Sequence, residues 1–248
     1  MSPKRVFITG TSSGIGQALA EEYAIPGATL GLNARRTDRL QELQTRLEAR
    51  GAKVHLYPGD VSDAAQMELA AKQFIQDAGG VDMVIANAGI GGPDRLDEGN
   101  AARMSRVFSV NVQGVLHTLV PFVPHMLEQR SGHLVAISSV AGFRALPGRA
   151  VYGATKTAVR TLMDGFRLEL RGSGVQVTTV CPGFVASELT EKNKFHMPFF
   201  LATDKAARMI TRQLRRGIKT YVFPWQWRML LPLIVYLPDW VIPKKSYL

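Results

Sequence analysis

Seven short runs rich in β-branched residues punctuate the chain: RVFIT, TLGLN, KVHLYP, VDMVIAN, GHLVAIS, VQVTTVC and TYVF. Several are apolar at odd and even positions alike, the pattern of a strand covered on both faces. Between them lie segments of helical period: GQALAEEYA, TDRLQELQTRLEARG, AAQMELAAKQFIQDAG, AARMSRVFSVNVQGVLHTLVPFVPHM and the stretch from Tyr152 to Arg171. Such alternation leaves few folds open, because parallel strands need crossovers and helical crossovers cover the faces of the sheet they join. The expectation is an α/β fold: a single domain with a doubly wound parallel sheet of about seven strands and helices on both faces. Its 248 residues are near the upper size that one core serves. Thr37 and Asp63 stand at N-cap positions, and Gly51 and Gly79 follow helices as C-terminal glycines do.

Composition narrows the partners more than the fold. The 30 Lys and Arg against 20 Asp and Glu give a formal charge of +10, a field that favours phosphates, nucleotides or acidic membranes. Zinc-finger spacing, a helix-turn-helix pattern and basic-aromatic repeats are all missing from the sequence, so no nucleic acid partner is expected. His55, His117, His125, His133 and His196 have no paired ligand spacing, and no metal site is expected. The lone Cys181, in the apolar run VTTVC, reads as a buried inert thiol in a reducing compartment. The N-terminus MSPKRVFITG enters a strand pattern without a secretory leader, which points to a cytoplasmic protein.

The segment VFITGTSSGIGQALAEE sets Gly10, Gly14 and Gly16 between a strand and a helix. Glycines there allow a tight turn and close approach of a pyrophosphate to the helix N-terminus. The spacing G-x-x-x-G-x-G differs from the general dinucleotide fingerprint, so the loop alone also fits a structural turn. The next strand refines the reading. In dinucleotide folds an acid near its end binds ribose hydroxyls, whereas arginine accommodates a 2′-phosphate. GATLGLNARR places Ala34 at the acid's position, followed by Arg35 and Arg36. Guanidinium attracts the phosphate that a carboxylate would repel, and NADP(H) is expected over NAD(H). The alternative is that both arginines begin a solvated basic helix continued by Arg39 and Arg46.

Farther on, SSVAGFRALPGRAVYGATK ends an apolar run in serines and then sets Tyr152 four residues before Lys156. On a helix these two share a face. An ammonium beside a phenol lowers the phenol pKa from about 10, and a drop of roughly three units, on the order of 4 kcal/mol, brings proton exchange near neutral pH. Tyrosine then serves as a general acid or base, and a serine hydroxyl can hold the same substrate oxygen.

Taken together, these segments resemble the short-chain dehydrogenase/reductase (SDR) family from Arg5 to about Phe223. The resemblance implies a Rossmann-like fold. TGTSSGIG (9 to 16) looks like the family's cofactor loop, with Ser12, Ser13 and Ile15 joining the three glycines as cofactor contacts. Asp60 in GDV, with Val61, matches the position that holds adenine. NAG (Asn87, Ala88, Gly89) matches the central-strand motif, Asn111 the helix asparagine, and Cys-Pro-Gly (181 to 183) the loop beside nicotinamide, followed by Val185 and Ser187. Ser139, Tyr152 and Lys156 match the catalytic set, and the family spacing selects Ser139 over Ser138. Two departures are ANAG, where a second asparagine is frequent, and Ser187, where threonine is common. The implied chemistry is hydride transfer between nicotinamide and a carbonyl or alcohol. Tyr152 is then the acid/base, Ser139 binds the substrate oxygen, Lys156 holds the ribose and lowers the tyrosine pKa, and Asn111 supports a proton-supplying water chain. Tyr152 and Lys156 thus also touch the cofactor.

The rest of the chain concerns the substrate. Residues 187–202 look like the family's variable lid, and Phe195, Met197, Phe199 and Phe200, with Phe143 and Leu146, are expected to line an apolar pocket or to pack the lid. The domain is expected to span residues 1–223. The tail, 224–248, is apolar and carries Trp225, Trp227 and Trp240 with Arg228, Lys244 and Lys245. It is too short to span a bilayer. It is expected to cover the pocket, to meet another subunit of a homo-oligomer, or to make peripheral membrane contact through residues 225–245. The function reading is an NADP(H)-dependent carbonyl or alcohol oxidoreductase. The alternatives are a 3-oxoacyl-carrier-type reductase and a non-catalytic dinucleotide-binding or membrane-associated module.

Overall fold

The computed structural model describes residues 4–94, 96–191 and 197–242. Seven strands form one sheet: β1 (Arg5–Thr9), β2 (Thr29–Asn33), β3 (Lys53–Leu56), β4 (Met83–Ala86), β5 (Gly132–Ile137), β6 (Val175–Pro182) and β7 (Thr220–Phe223). Their order is β3-β2-β1-β4-β5-β6-β7, and every neighbouring pair is parallel. The chain winds outward from β1 to β3, then returns to place β4 on the other side of β1. That reversal opens a crevice beyond the carboxyl ends of β1 and β4, where α/β sheets bind ligands.

Helices cover both faces, as the apolar runs require. Val6 and Ile8 of β1 pack into one buried cluster with Leu19, Leu40, Leu43 and Ile210, from α1 (Gly14–Tyr23), α2 (Thr37–Glu48) and α9 (Thr203–Leu214). Phe7, one residue out of phase, joins the opposite cluster with Phe74 of α3 (Ala64–Ala78) and with Val159 and Met163 of α7 (Ala150–Glu169). Phe7 and Phe74 are fully buried 5.4 Å apart, and truncating either to alanine costs about 3–5 kcal/mol.

The segment expected as one helix over 101–126 is helical but broken into pieces: α4 (Ala101–Phe108), a π turn over Ser109–Gln113, α5 (Gly114–Leu119), a 3₁₀ turn over Val120–Phe122 and α6 (Val123–Glu128). Pro121 and Pro124 lie at the later break, where each lacks an N–H for the helical ladder. Ala101–Glu128 is the one helical stretch among the described residues long and apolar enough to cross a membrane. Its Val110, Val115, Leu119, Phe122 and Met126 are buried in the domain core.

Helix ends follow the signals in part. Asp63 caps α3 by accepting from Gln66 N at 3.0 Å, and Gly79 closes that helix in the left-handed region. Thr37 is not a cap: α2 starts at Thr37 itself, with Arg36 in the cap position and no side-chain capping bond. The tail forms α10 (Trp225–Val235) and a 3₁₀ turn over Asp239–Val241. Two further residues named above for the lid and its neighbourhood, Phe195 and His196, lie outside the described residues, as do Lys244 and Lys245 of the tail.

Candidate active site

The glycine turn sits at the mouth of the crevice. Gly10 (φ 71°) and Gly14 (φ 57°) adopt left-handed backbone that side chains disfavour. At Gly16 the constraint is space, since a Cβ there would lie 2.3 Å from the Gly10 carbonyl oxygen and 2.4 Å from Asn87 Nδ2. Asn87 explains the tightness: its Nδ2 donates to Thr9 O at 3.0 Å and Gly10 O at 3.1 Å, lacing the loop after β4 to the loop after β1. Thr9 Oγ1 accepts from the backbone N–H of Asn87 and Ala88 in return. Ser13 occupies the cap position of α1 without a capping bond, so by helix geometry the first N–H groups face the turn. A turn this close-packed with open N–H groups fits a dinucleotide pyrophosphate. Ile15 stays partly buried against the core under α1.

The arginines lie beside that turn. Ala34 is buried at the end of β2, and no carboxylate takes the place of an acid there. Arg36 reaches back to Ser12 Oγ at 3.0 Å and Ser13 Oγ at 3.1 Å, and its Nη1 lies 2.8 Å from Glu188. The exposed Arg35 points its Nη1 at Asp60, 3.9 Å away. Both guanidiniums are solvent-exposed at the start of α2, Arg36 lying over the glycine turn and Arg35 toward Asp60. Asp60 accepts from Ser62 N (2.9 Å), Ser62 Oγ (2.7 Å) and Arg106. Burial acts to raise its pKa, but the Ser62 and Arg106 hydrogen bonds outweigh that and hold it below the usual carboxylate value. Val61 is buried against Gly114, and its carbonyl oxygen pairs with His117 Nδ1 at 2.9 Å. That places its side chain in the core, so any cofactor contact falls to its backbone.

Tyr152 and Lys156 project from the first two turns of α7, and Lys156 Nζ is 5.7 Å from the Tyr152 ring centre. Ser139, at the end of β5, hydrogen-bonds the Tyr152 hydroxyl, and its Oγ also accepts from Ala141 N at 3.1 Å. Ser138 faces inward and donates to Lys156 O at 2.8 Å, a structural contact that leaves Ser139 as the serine beside the phenol. Lys156 is only 5% exposed and donates to Ile137 O at 2.9 Å, close to Gly89. Burial pushes its pKa down to about 8. The expected lowering of the tyrosine pKa is not what the structure gives: burial raises it, opposed by the Ser139 hydrogen bond and by Arg149. Lys156 does not offset that burial, for its ammonium donates to Ile137 O.

Asn111 lies in the π turn, a distortion common where a helix serves a site. Its Oδ1 accepts from Ile90 N at 2.8 Å, and its Nδ2 donates to Ile90 O at 2.9 Å and Thr155 Oγ1 at 3.0 Å. The side chain is thus a strut between the β4 loop and α7. Pro182, the last residue of β6, and Val185 in the loop after it are buried, and Ser187 Cβ lies 3.1 Å from where a Gly14 Cβ would sit. That loop therefore closes on the glycine turn.

Several residues at the site carry no sequence signal of their own. Asp94 accepts from Val151 N at 3.0 Å and so caps the helix bearing Tyr152. Glu188 pairs with Arg36 and Arg106 with Asp60, and Trp227 packs on the loop after β6. A Cβ on Gly183 would lie 2.3 Å from Trp227 Nε1, and the indole packs edge-on against Phe184 and Phe199. Arg144 ties the loop after β5 to the tail through Leu237 O and Asp239. The tail thus packs on the loops after β5 and β6. Phe143, expected in the pocket, stacks against the Arg160 guanidinium at 3.4 Å. Leu146, Met197, Phe199 and Phe200 are partly or largely open to solvent.

A family model described as short chain dehydrogenase matches residues 4–198. An oxidoreductase of Myxococcus xanthus is 38% identical over 239 residues, which cover 96% of this chain and 94% of that protein. Among solved structures, a short chain dehydrogenase/reductase from Burkholderia phymatum in complex with NAD gives a TM-score of 0.87 at 27% identity, covering 100% of this chain and 98% of that one. A short-chain dehydrogenase from Sphingobium yanoikuyae in complex with NADPH gives 0.82 at 28% identity, covering 94% and 96%. Relatives of this fold hold either dinucleotide.

Proposed function

Since this chain belongs to the short-chain dehydrogenase family and is an oxidoreductase of that kind, we propose that it interconverts a carbonyl and a secondary alcohol on an apolar small molecule with NADP(H). The observation that carries the reading is the meeting of Ser139, Tyr152 and Lys156 at the same carboxyl end of the sheet as the glycine turn. A non-catalytic dinucleotide-binding module needs no such proton machinery.

The turn of Gly10, Gly14 and Gly16, with Asn87 to Gly89 and the loop from Pro182 to Ser187, would hold the dinucleotide. Arg35, Arg36 and the Ser12 and Ser13 hydroxyls would meet its 2′-phosphate, which is why NADP(H) is favoured. When bound, the dinucleotide supplies a hydride to the substrate carbon or accepts one from it. In reduction Tyr152 gives its proton to the carbonyl oxygen as a general acid. Ser139 donates a hydrogen bond to the same oxygen and orients the phenol. Lys156 would hold the nicotinamide ribose. With its side chain fully engaged, Asn111 acts as a positioning residue between the β4 loop and α7. The apolar substrate class draws support from Phe199, Phe200 and Trp227 around the lid. Incubation of the protein with NADPH and a panel of apolar ketones and aldehydes, and with NADP⁺ and the matching alcohols, tests the reading. No dinucleotide turnover above the blank with any of them would refute it.

A second reading concerns the tail. Trp225, Met229 and Leu233 follow at four-residue intervals on α10 and are 69%, 66% and 68% exposed; Tyr236 and Trp240 beyond it reach 85% and 86%. With the chain's +10 charge, this stripe favours contact with an anionic bilayer from which an apolar substrate would be drawn. Flotation of the full chain with anionic and neutral vesicles tests it, with Trp225→Ser and Trp240→Ser as controls. Absent flotation, a loss of mass in analytical ultracentrifugation of those variants would assign the stripe to a second copy instead.

A further inference from the structure

The segment after β6 carries an anion into the cofactor crevice. Glu188 opens α8 (Glu188–Glu191) and places Oε1 2.8 Å from Arg36 Nη1 and Oε2 3.1 Å from Arg36 Nη2. Ser13 also hydrogen-bonds this carboxylate, while Arg36 donates to the Ser12 and Ser13 hydroxyl oxygens. A carboxylate held by a guanidinium fork and a hydroxyl, at the mouth of a glycine turn, makes the contacts that a phosphate makes. The partners are 152 residues apart in sequence. No local turn geometry requires them to meet.

The neighbouring residue gives the contact a consequence. A Cβ built on Gly91 would meet the Tyr152 ring at 3.3 Å and Leu189 Cδ1 at 3.6 Å, so Leu189 borders the approach to the catalytic tyrosine. Within four residues, α8 thus joins an anion at the cofactor end to an apolar side chain at the substrate end. Thr190 N and Glu191 N both bond Ser187 O, which ties the segment into one turn.

We propose that Glu188 is a tethered stand-in for a cofactor phosphate: before cofactor binds, it fills the anion position made by Arg36, Ser12 and Ser13, and an arriving phosphate displaces it and carries Leu189 away from Tyr152. The inference rests on the dinucleotide reading above and deepens it, because it makes cofactor binding the condition for substrate access. Two phosphate groups of the dinucleotide share the required chemistry, the 2′-phosphate and the pyrophosphate. Glu188 and Arg36 are about half exposed (54% and 42%), so their pair is weak, and its release is expected to change affinity by roughly two- to fivefold.

The test compares the full chain with Glu188→Gln, which keeps the size and removes the charge. Each is titrated with NADPH, NADH, adenosine 2′,5′-bisphosphate and inorganic pyrophosphate. Roughly two- to fivefold tighter binding of NADPH and the bisphosphate alone assigns the displacing group as the 2′-phosphate. Equal tightening of NADH and pyrophosphate assigns it as the pyrophosphate. Either supports the proposal. Hydrogen exchange of the parent supplies an independent reading: the amides of residues 188–191 are expected to exchange faster once cofactor is added. If both dinucleotides bind but Glu188→Gln leaves every affinity unchanged or weaker, or if cofactor slows exchange at α8, the stand-in falls while the cofactor reading stands. If the parent binds neither dinucleotide, both fall.

Discussion

Replacing Lys156 with methionine is expected to stabilise the protein at neutral pH while abolishing its activity. Lys156 is 5% exposed, has no carboxylate partner among the contacts it makes and donates to Ile137 O. Burial lowers its pKa from 10.5 to about 8. That difference of about 2.5 units corresponds to roughly 3 kcal/mol of folding free energy lost by keeping the lysine charged below pH 8. Between pH 8 and 10.5 the unfolded chain holds a proton that the folded chain has released, so stability rises with pH through this window and the penalty is gone above it. Methionine fills a similar volume without charge but removes the donor to Ile137 O, at a cost of about 1 kcal/mol. Lys156→Met should therefore gain about 2 kcal/mol at pH 7 and be slightly less stable than the parent above pH 10.5. Urea unfolding of both cofactor-free proteins at pH 7, 9 and 10.5 measures this, and the other titrating groups cancel because both proteins share them. A variant less stable at pH 7, or a difference independent of pH, would refute the assignment of a buried, strained ammonium.

Other expected outcomes can be checked separately. Arg35→Asp should weaken NADPH far more than NADH, by about thirtyfold if one charge-assisted contact of roughly 2 kcal/mol is lost; an unchanged preference in competitive titration discards the cofactor assignment. Gly16→Ala should cost about 1–3 kcal/mol through the clash with Gly10 O, whereas Gly165→Ala, in α7 with nothing nearby to meet the added methyl, should gain about 0.5–1 kcal/mol in thermal unfolding. Loss of stability at Gly165 would show that another chain packs on that face. His133 is buried against Thr178 Oγ1, and burial lowers its pKa to about 4. It stays neutral in the fold, so stability should fall by about 3 kcal/mol as pH drops from 6.5 to 4. His133→Gln should flatten that arm of the pH–stability curve.

The sheet was largely legible because its determinants are local. All seven apolar runs became strands, and where the runs overreached the cause is a side chain with other work to do. VDMVIAN shrinks to Met83–Ala86 because Asp82 turns to Arg5 and Asn87 laces the glycine turn. KVHLYP ends at Leu56, ahead of Pro58, which has no N–H for the ladder. The glycine turn and the i, i+4 pair of Tyr152 and Lys156 were legible for the same reason. What sequence did not disclose is pairing at long range. Asp94 caps a helix 57 residues away, Arg36 finds Glu188, and Trp227 settles on Gly183 because that residue lacks a side chain. The expected effect of Lys156 on the phenol also depended on orientation, which spacing leaves undetermined: the two share a face, yet the ammonium turns to Ile137 O.

Single-turnover reduction by Tyr152→Phe, set against the parent on any carbonyl that the parent reduces, bears most directly on the role given to this hydroxyl. The account predicts dinucleotide affinity within about twofold of the parent and a hydride-transfer rate lower by roughly 10²–10⁴, the share a positioned acid contributes. Equal rates in the two proteins would contradict it.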